Sequence, residues 1–120
     1  MKKVILITGA TSGIGYETAA YLANQGNIVY GAGRRVENLE GLKKVKPIQL
    51  DMTDESSMQL VVDTIIETEG RIDVLVNNAG YGSYGAIEDV TIEEAKQQFE
   101  VNVFGLARLT QLVLPHMREQ

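Results

Sequence analysis

The sequence predicts an α/β fold, a doubly wound parallel sheet with helices on both faces. Three observations carry that expectation. Short β-branched apolar runs alternate with segments of helical period, in the order β-α-β-α-β-α-β-α, across the 120 residues. The first and last of these runs are apolar without polar alternation, as parallel strands buried on both faces are. No repeat, low-complexity tract or linker interrupts the series, so right-handed crossovers join successive strands within one layered unit.

Val4, Ile5, Leu6 and Ile7 make the first strand. A turn with glycines at 9, 13 and 15 follows, within TGATSGIG (8–15). Ile14, Thr18, Tyr21, Leu22 and Gln25 then step at helical spacing, and Gly26 stands where a helix ends. NIVYGAG (27–33) reads as the second strand and RRVENLEGL (34–42) as a short helix or turn. VKPIQLD (45–51) is the third strand, and Pro47 sets it at a sheet edge because proline cannot donate to a ladder. In TDESSMQLVVDTIIETEG (53–70) an acidic first turn precedes an apolar stripe of Met58, Val61, Val62, Ile65 and Ile66. Gly70 stops that helix. IDVLVNNAG (72–80) is the fourth strand, apolar on both faces through Val74, Leu75 and Val76. Thr91, Ile92, Glu93 and Glu94 read as a capping box that opens one long helix over 91–117.

The glycine turn is the first candidate site. Where a strand turns sharply into a helix, unpaired N–H groups and the positive end of the helix dipole favour an anion. Gly9 permits the turn, Gly13 leaves room against bare backbone, and Gly15 lets the helix sit close to the strand. Thr8, Thr11 and Ser12 add hydroxyls. The spacing is T-G-x-x-x-G-x-G rather than G-x-G-x-x-G, and a ligand-free turn would carry the same glycines, so support must come from elsewhere.

Composition narrows the function classes. The net charge of −5 and the lack of a basic face argue against non-specific nucleic-acid binding. The chain has no cysteine, hence no disulfide or thiolate metal site, which fits a reducing compartment. A single histidine, His116, argues against a histidine-built metal site, and no metal is expected. No apolar run reaches membrane-spanning length, and Thr8-Gly9 ends the first one too soon for a signal core. The expected setting is cytoplasmic.

With TGATSGIG, LDMTD (50–54), NNAG (77–80) and VNVFG (101–105) in this order, the chain resembles the short-chain dehydrogenase/reductase family over essentially its whole length. The resemblance implies a Rossmann-like sheet of order 3-2-1-4, continuing in the family to a seventh strand. Residues 1–120 would be its dinucleotide-binding half, truncated after the fourth strand and the helix that follows. It implies that Gly9, Ser12, Gly13, Ile14 and Gly15 cradle a cofactor's pyrophosphate and adjoining ribose. Asp51 would accept from the adenine amino group, with Met52 contributing its backbone, and Asn78, Ala79 and Gly80 would line the nicotinamide-side ribose. Asn102 matches the family's proton-relay asparagine. Asp51 would equally serve as a helix cap, and Asn102 as a satisfied helix polar residue.

NAD-type sites commonly place an acid about 20 residues past the glycines, on the ribose 2′-hydroxyl. Here the second strand ends in GAGRR, with Arg34 and Arg35 and no acid at its tip, although Glu37 is near. A guanidinium forks onto a 2′-phosphate that a carboxylate would repel. NADP is therefore expected over NAD, unless the two arginines are simply solvated.

The family's chemistry uses a serine and a Tyr-x-x-x-Lys pair. No such pair exists here: the residues four beyond Tyr16, Tyr21, Tyr30, Tyr81 and Tyr84 are Ala20, Gln25, Arg34, Gly85 and Glu88. The chain alone is expected to be catalytically silent, as the cofactor-binding part of an oxidoreductase. The alternatives are a non-catalytic dinucleotide-binding module or a self-assembling half-domain. Self-association is expected through the 91–117 helix, apolar around most of its girth, through the 72–77 strand left at an edge, or through both.

Overall fold

A computed structural model describes residues 2–120. The elements are β1 (Val4–Thr8), α1 (Gly13–Asn24), β2 (Ile28–Gly33), a 3₁₀ turn (Val36–Leu39), β3 (Val45–Gln49), α2 (Glu55–Glu69), β4 (Val74–Val76), α3 (Ile92–Phe99), a π-helical stretch (Glu100–Gly105) and α4 (Leu106–Glu119). The four strands form one parallel sheet of order β3-β2-β1-β4. The Rossmann-like arrangement read from the sequence is therefore the observed one, with Pro47 on the edge strand β3, opposite Gly31.

Side-chain alternation along β1 feeds two cores. Val4 and Leu6 pack with Val61, Val62 and Ile65 of α2 and with Leu109 and Val113 of α4. Ile5 and Ile7 pack with Ala19 and Ala23 of α1, Val29 and Leu39. All five β1 residues are less than 5% exposed, so burial of this strand's two faces joins the layers.

α2 is capped by Asp54, whose carboxylate accepts from the Ser56 and Ser57 N–H groups, and is ended by Gly70 at φ 81°. The expected capping box is half formed. Thr91 accepts from the Glu94 N–H at 3.1 Å, but the Glu94 carboxylate takes the Ser83 hydroxyl at 2.9 Å and so ties the 77–90 loop to α3.

Two elements depart from the expected boundaries. The fourth strand is short, because Asp73 accepts from the Val4 N–H at 2.8 Å and the Gln120 amide bonds both N–H and C=O of Ile72. The long helix is not uniform: the π-helical stretch lies between its two α segments. Gly105 sits in that stretch where an added Cβ would lie 2.5 Å from the Met52 carbonyl, so only glycine lets the helix approach the β3–α2 connection this closely.

Candidate functional site

The strand order reverses between β1 and β4, and the crevice beyond the carboxyl ends of strands at such a reversal is where open α/β sheets bind ligands. A cleft of about 490 Å³ opens there. Its walls come from the β1–α1 turn, the end of β2, the β3–α2 connection and the segment after β4.

The three glycines of the turn do different work. Gly9, at φ 65°, faces the post-β4 segment so closely that a Cβ would lie 2.8 Å from Ala79 Cα. At Gly15 a Cβ would lie 2.3 Å from the Gly9 carbonyl oxygen, so α1 begins against the turn itself. Gly13, at φ 59°, has nothing within 4 Å of where its Cβ would stand, which leaves bare backbone beside open space. Ser12 occupies the N-cap position without making a side-chain cap, and the first turn of α1 carries no acid, unlike those of α2 and α3. The N–H groups of a helix start, a hydroxyl that makes no cap bond and a first turn with no carboxylate together suit an anion.

Thr8 fixes the opposite wall. Its hydroxyl is fully buried, accepts from the Asn78 and Ala79 N–H groups at 3.0 and 2.9 Å, and donates to the Val76 carbonyl at 3.4 Å. Asn78 returns a bond from Nδ2 to the Gly9 carbonyl at 3.1 Å. The sequence marked Thr8 only as a hydroxyl donor. The usable signal was a polar residue closing an apolar run at the strand's buried end.

On the third wall, Asp51 Oδ1 accepts from the Thr53 N–H at 2.9 Å and the Thr53 hydroxyl at 2.7 Å. These bonds, the hydroxyl foremost, hold the Asp51 carboxyl below the usual carboxylate range, and the Arg34 charge adds to them against partial burial. Asp54 caps α2, so the capping role left open for Asp51 is not the one it takes.

Of the residues singled out from sequence, Gly9, Ser12, Arg34, Asp51, Met52, Asn78, Ala79 and Gly80 line this cleft. Gly13, Ile14 and Gly15 lie at the adjoining helix start, Ile14 with its side chain 79% exposed. Arg35 is exposed and does not line the cleft. Asn102 lies in the π-helical stretch, its Oδ1 accepting from the Tyr81 N–H at 3.0 Å and its Nδ2 donating to the Tyr81 carbonyl at 2.7 Å. Asn102 therefore clamps the peptide beside Gly80. Thr53 and Gln97 also line the cleft and were not selected from sequence, and Tyr81 lines it as a residue of the loop after NNAG.

Among the described residues no helix is long and apolar enough to cross a membrane, and no group of three or more His, Asp or Glu is placed to hold a metal ion.

Fold and site define a Rossmann-like α/β domain whose glycine crossover faces a cleft at the strand-order reversal. Comparison with known proteins refines that class. The family model for short chain dehydrogenase matches residues 3–120, and the chain belongs to that family. It is 45% identical over 117 residues to a 3-ketodihydrosphingosine reductase of Bacteroides thetaiotaomicron, covering 98% of this chain and 43% of that protein. A crystal structure of a short-chain dehydrogenase from Streptomyces avermitilis superposes with a TM-score of 0.93 at 43% identity, covering 98% of this chain and 45% of that one. An alcohol dehydrogenase from Thermococcus sibiricus complexed with 5-hydroxy-NADP superposes with a TM-score of 0.92 at 30% identity, covering 99% and 55%. The chain thus spans about half the length of the proteins it matches.

Proposed function

We propose that residues 1–120 are the dinucleotide-binding half of an NADP-dependent oxidoreductase acting on an alcohol or carbonyl substrate. One observation carries this reading: a single cleft joins Ser12, at the N-cap of α1, to Arg34, Asp51 and the 78–80 segment. The turn N–H groups and Ser12 receive the pyrophosphate, and Arg34, with Arg35 behind it, receives a 2′-phosphate. Asp51 accepts from the adenine amino group, and Asn78, Ala79 and Gly80 border the second ribose. A cleft of this size lies within the usual range for small-molecule sites.

The bound nicotinamide supplies hydride chemistry. Asn102 contributes to a proton path by fixing the Tyr81 peptide that borders the cleft. With no Tyr-x-x-x-Lys pair in its sequence, the 120-residue chain is inactive by itself. The absence of cysteine accords with a cytoplasmic setting.

Calorimetric titration of the chain with NADP and NAD tests this reading. Saturable NADP binding is expected, with NAD about tenfold weaker for the loss of one charge-assisted contact. Gly13→Val, which forces a β-branched residue into a left-handed conformation, is expected to abolish binding. If neither dinucleotide binds at millimolar concentration while circular dichroism reports an intact fold, the reading fails.

A second reading, self-association with another copy, has its own support. Phe99, Val103, Phe104 and Leu114 are 54%, 46%, 59% and 41% exposed along one helical run, and β4 stands uncovered at the sheet edge. A groove of about 340 Å³ lies between β4 and α4, lined by Val74, Leu75, Leu114 and Met117. Light scattering that reports a monomer at high micromolar concentration would exclude it.

A further inference from the structure

We propose that Thr53 is a specificity-determining positioning residue: it locks one oxygen of the Asp51 carboxylate and leaves the other to read the base in the cleft. The inference rests on the dinucleotide reading above and names the residue that gives the cleft's adenine end its selectivity.

A carboxylate rotates about a broad, roughly two-fold terminal torsion, so an unsupported aspartate presents no fixed acceptor. Asp51 is supported from two directions. Its N–H donates to the Ser57 hydroxyl at 2.9 Å, which anchors the backbone to the first turn of α2. Its Oδ1 takes two donors from Thr53, the N–H at 2.9 Å and the hydroxyl at 2.7 Å. Two donors on one oxygen fix the carboxylate plane, and among the described residues no protein donor bonds Oδ2. Asp51 and Thr53 both line the cleft.

Thr53 is not needed to start α2. Asp54 caps that helix through the Ser56 and Ser57 N–H groups, and the Ser56 hydroxyl makes a matching bond to Asp54 at 2.6 Å. The loop thus carries the same hydroxyl–carboxylate pair twice: Thr53 with Asp51 on the cleft, and Ser56 with Asp54 outside its lining. Only the first pair lines the cleft.

An ionised carboxylate only accepts hydrogen bonds. It welcomes the exocyclic amino group of adenine and repels the carbonyl that hypoxanthine carries at the same position. A held carboxylate makes that distinction sharply, because the wrong base meets an acceptor that cannot turn away. A loose one swings aside and blurs it.

The test titrates the 120-residue chain calorimetrically with ADP-ribose and with its hypoxanthine counterpart. The wild type is expected to prefer adenine about tenfold or more, the worth of one charge-assisted bond. Thr53→Val is expected to cut that preference to about threefold or less, chiefly by weakening adenine binding, and to raise the Asp51 titration seen by carboxyl NMR. Thr53→Ser restores the hydroxyl and is expected to keep the preference. Ser56→Ala removes the matching bond on Asp54 and is expected to leave it untouched. Should Val disturb the turn, Thr53→Ala repeats the comparison without the β-branch. An unchanged preference in a folded Thr53→Val or Thr53→Ala chain, or an equal loss in Ser56→Ala, overturns the role of Thr53 while the cofactor reading stands. A wild-type chain that is folded and binds neither ligand overturns both.

Discussion

Replacing Thr8 with valine tests how the two halves of the cleft are held together. The two side chains are nearly isosteric, and the site is fully buried, so the change removes one oxygen and little else. That oxygen accepts from the Asn78 and Ala79 N–H groups at 3.0 and 2.9 Å. The Asn78 N–H keeps a second acceptor, the Val76 carbonyl at 3.1 Å, whereas the Ala79 N–H has no other among the described residues. One stranded N–H costs about 1–3 kcal/mol, and burying the new methyl returns about 0.8 kcal/mol at most. The lost donation to Val76, at 3.4 Å, is too long to add much. The net loss, about 1 kcal/mol and about 2 at most, lowers the melting temperature by roughly 3–5 °C per kcal/mol for a domain of this size. Urea denaturation and thermal circular dichroism report it, and the Ala79 amide should exchange faster with deuterium. Thr8→Ser also loses about 1 kcal/mol, for the missing methyl, but it keeps the oxygen and so should leave the Ala79 amide protected. A Thr8→Val chain within 0.5 kcal/mol of the wild type would show that these bonds do not secure the post-β4 segment.

Gly105→Ala is expected to destabilise by about 1–3 kcal/mol, despite the better helix propensity of alanine, because the new methyl meets the Met52 carbonyl backbone. A stabilised variant on urea denaturation would refute that close approach. Acid should unfold the chain partly through Asp73, held below the usual carboxylate range by Arg71 and by the Val4 N–H, and through Glu69, held down by Lys46 and Tyr30. Because both folded-state values are depressed, their stabilisation is complete above the ordinary carboxylate range near 4 and is lost as pH falls below it. Asp73→Asn should be less stable at neutral pH and show a shallower acid limb in pH-dependent melts; an unchanged limb would contradict the assignment. Arg34→Glu should reverse the NADP preference by repelling the 2′-phosphate, and a titration in which NADP still binds tenfold better than NAD would remove Arg34 from that role.

The sheet was legible because buried parallel strands announce themselves as unbroken apolar runs, and Pro47 could only stand at an edge. The glycine turn was legible for a similar reason: φ near 60° at Gly9 and Gly13 is a backbone demand that residue type records. What stayed hidden depends on tertiary contact. The π-helical stretch ends at Gly105, which sits against the Met52 carbonyl, and its trace in sequence is a glycine inside a helical run. The half-formed capping box reflects a competing partner, since Ser83 takes the Glu94 carboxylate from a loop with no periodic signal. The fourth strand is short at both ends: Gln120, 48 residues away, bonds the Ile72 N–H and C=O, and Thr8 takes the Asn78 and Ala79 N–H groups. Thr53 escaped selection, and the clamping part of Thr8 stayed hidden, because both rest on contacts that sequence spacing does not encode.

The central claim is that one cleft receives the whole dinucleotide, from the α1 start to the segment after β4. The most direct measurement is amide chemical-shift mapping of the isotopically labelled chain during titration with NADP. Saturable shifts should concentrate at residues 9–15, 33–35, 51–53 and 78–81, and the groove between β4 and α4 should stay quiet. Shifts confined to that groove, or none at all in a folded chain, would contradict the claim.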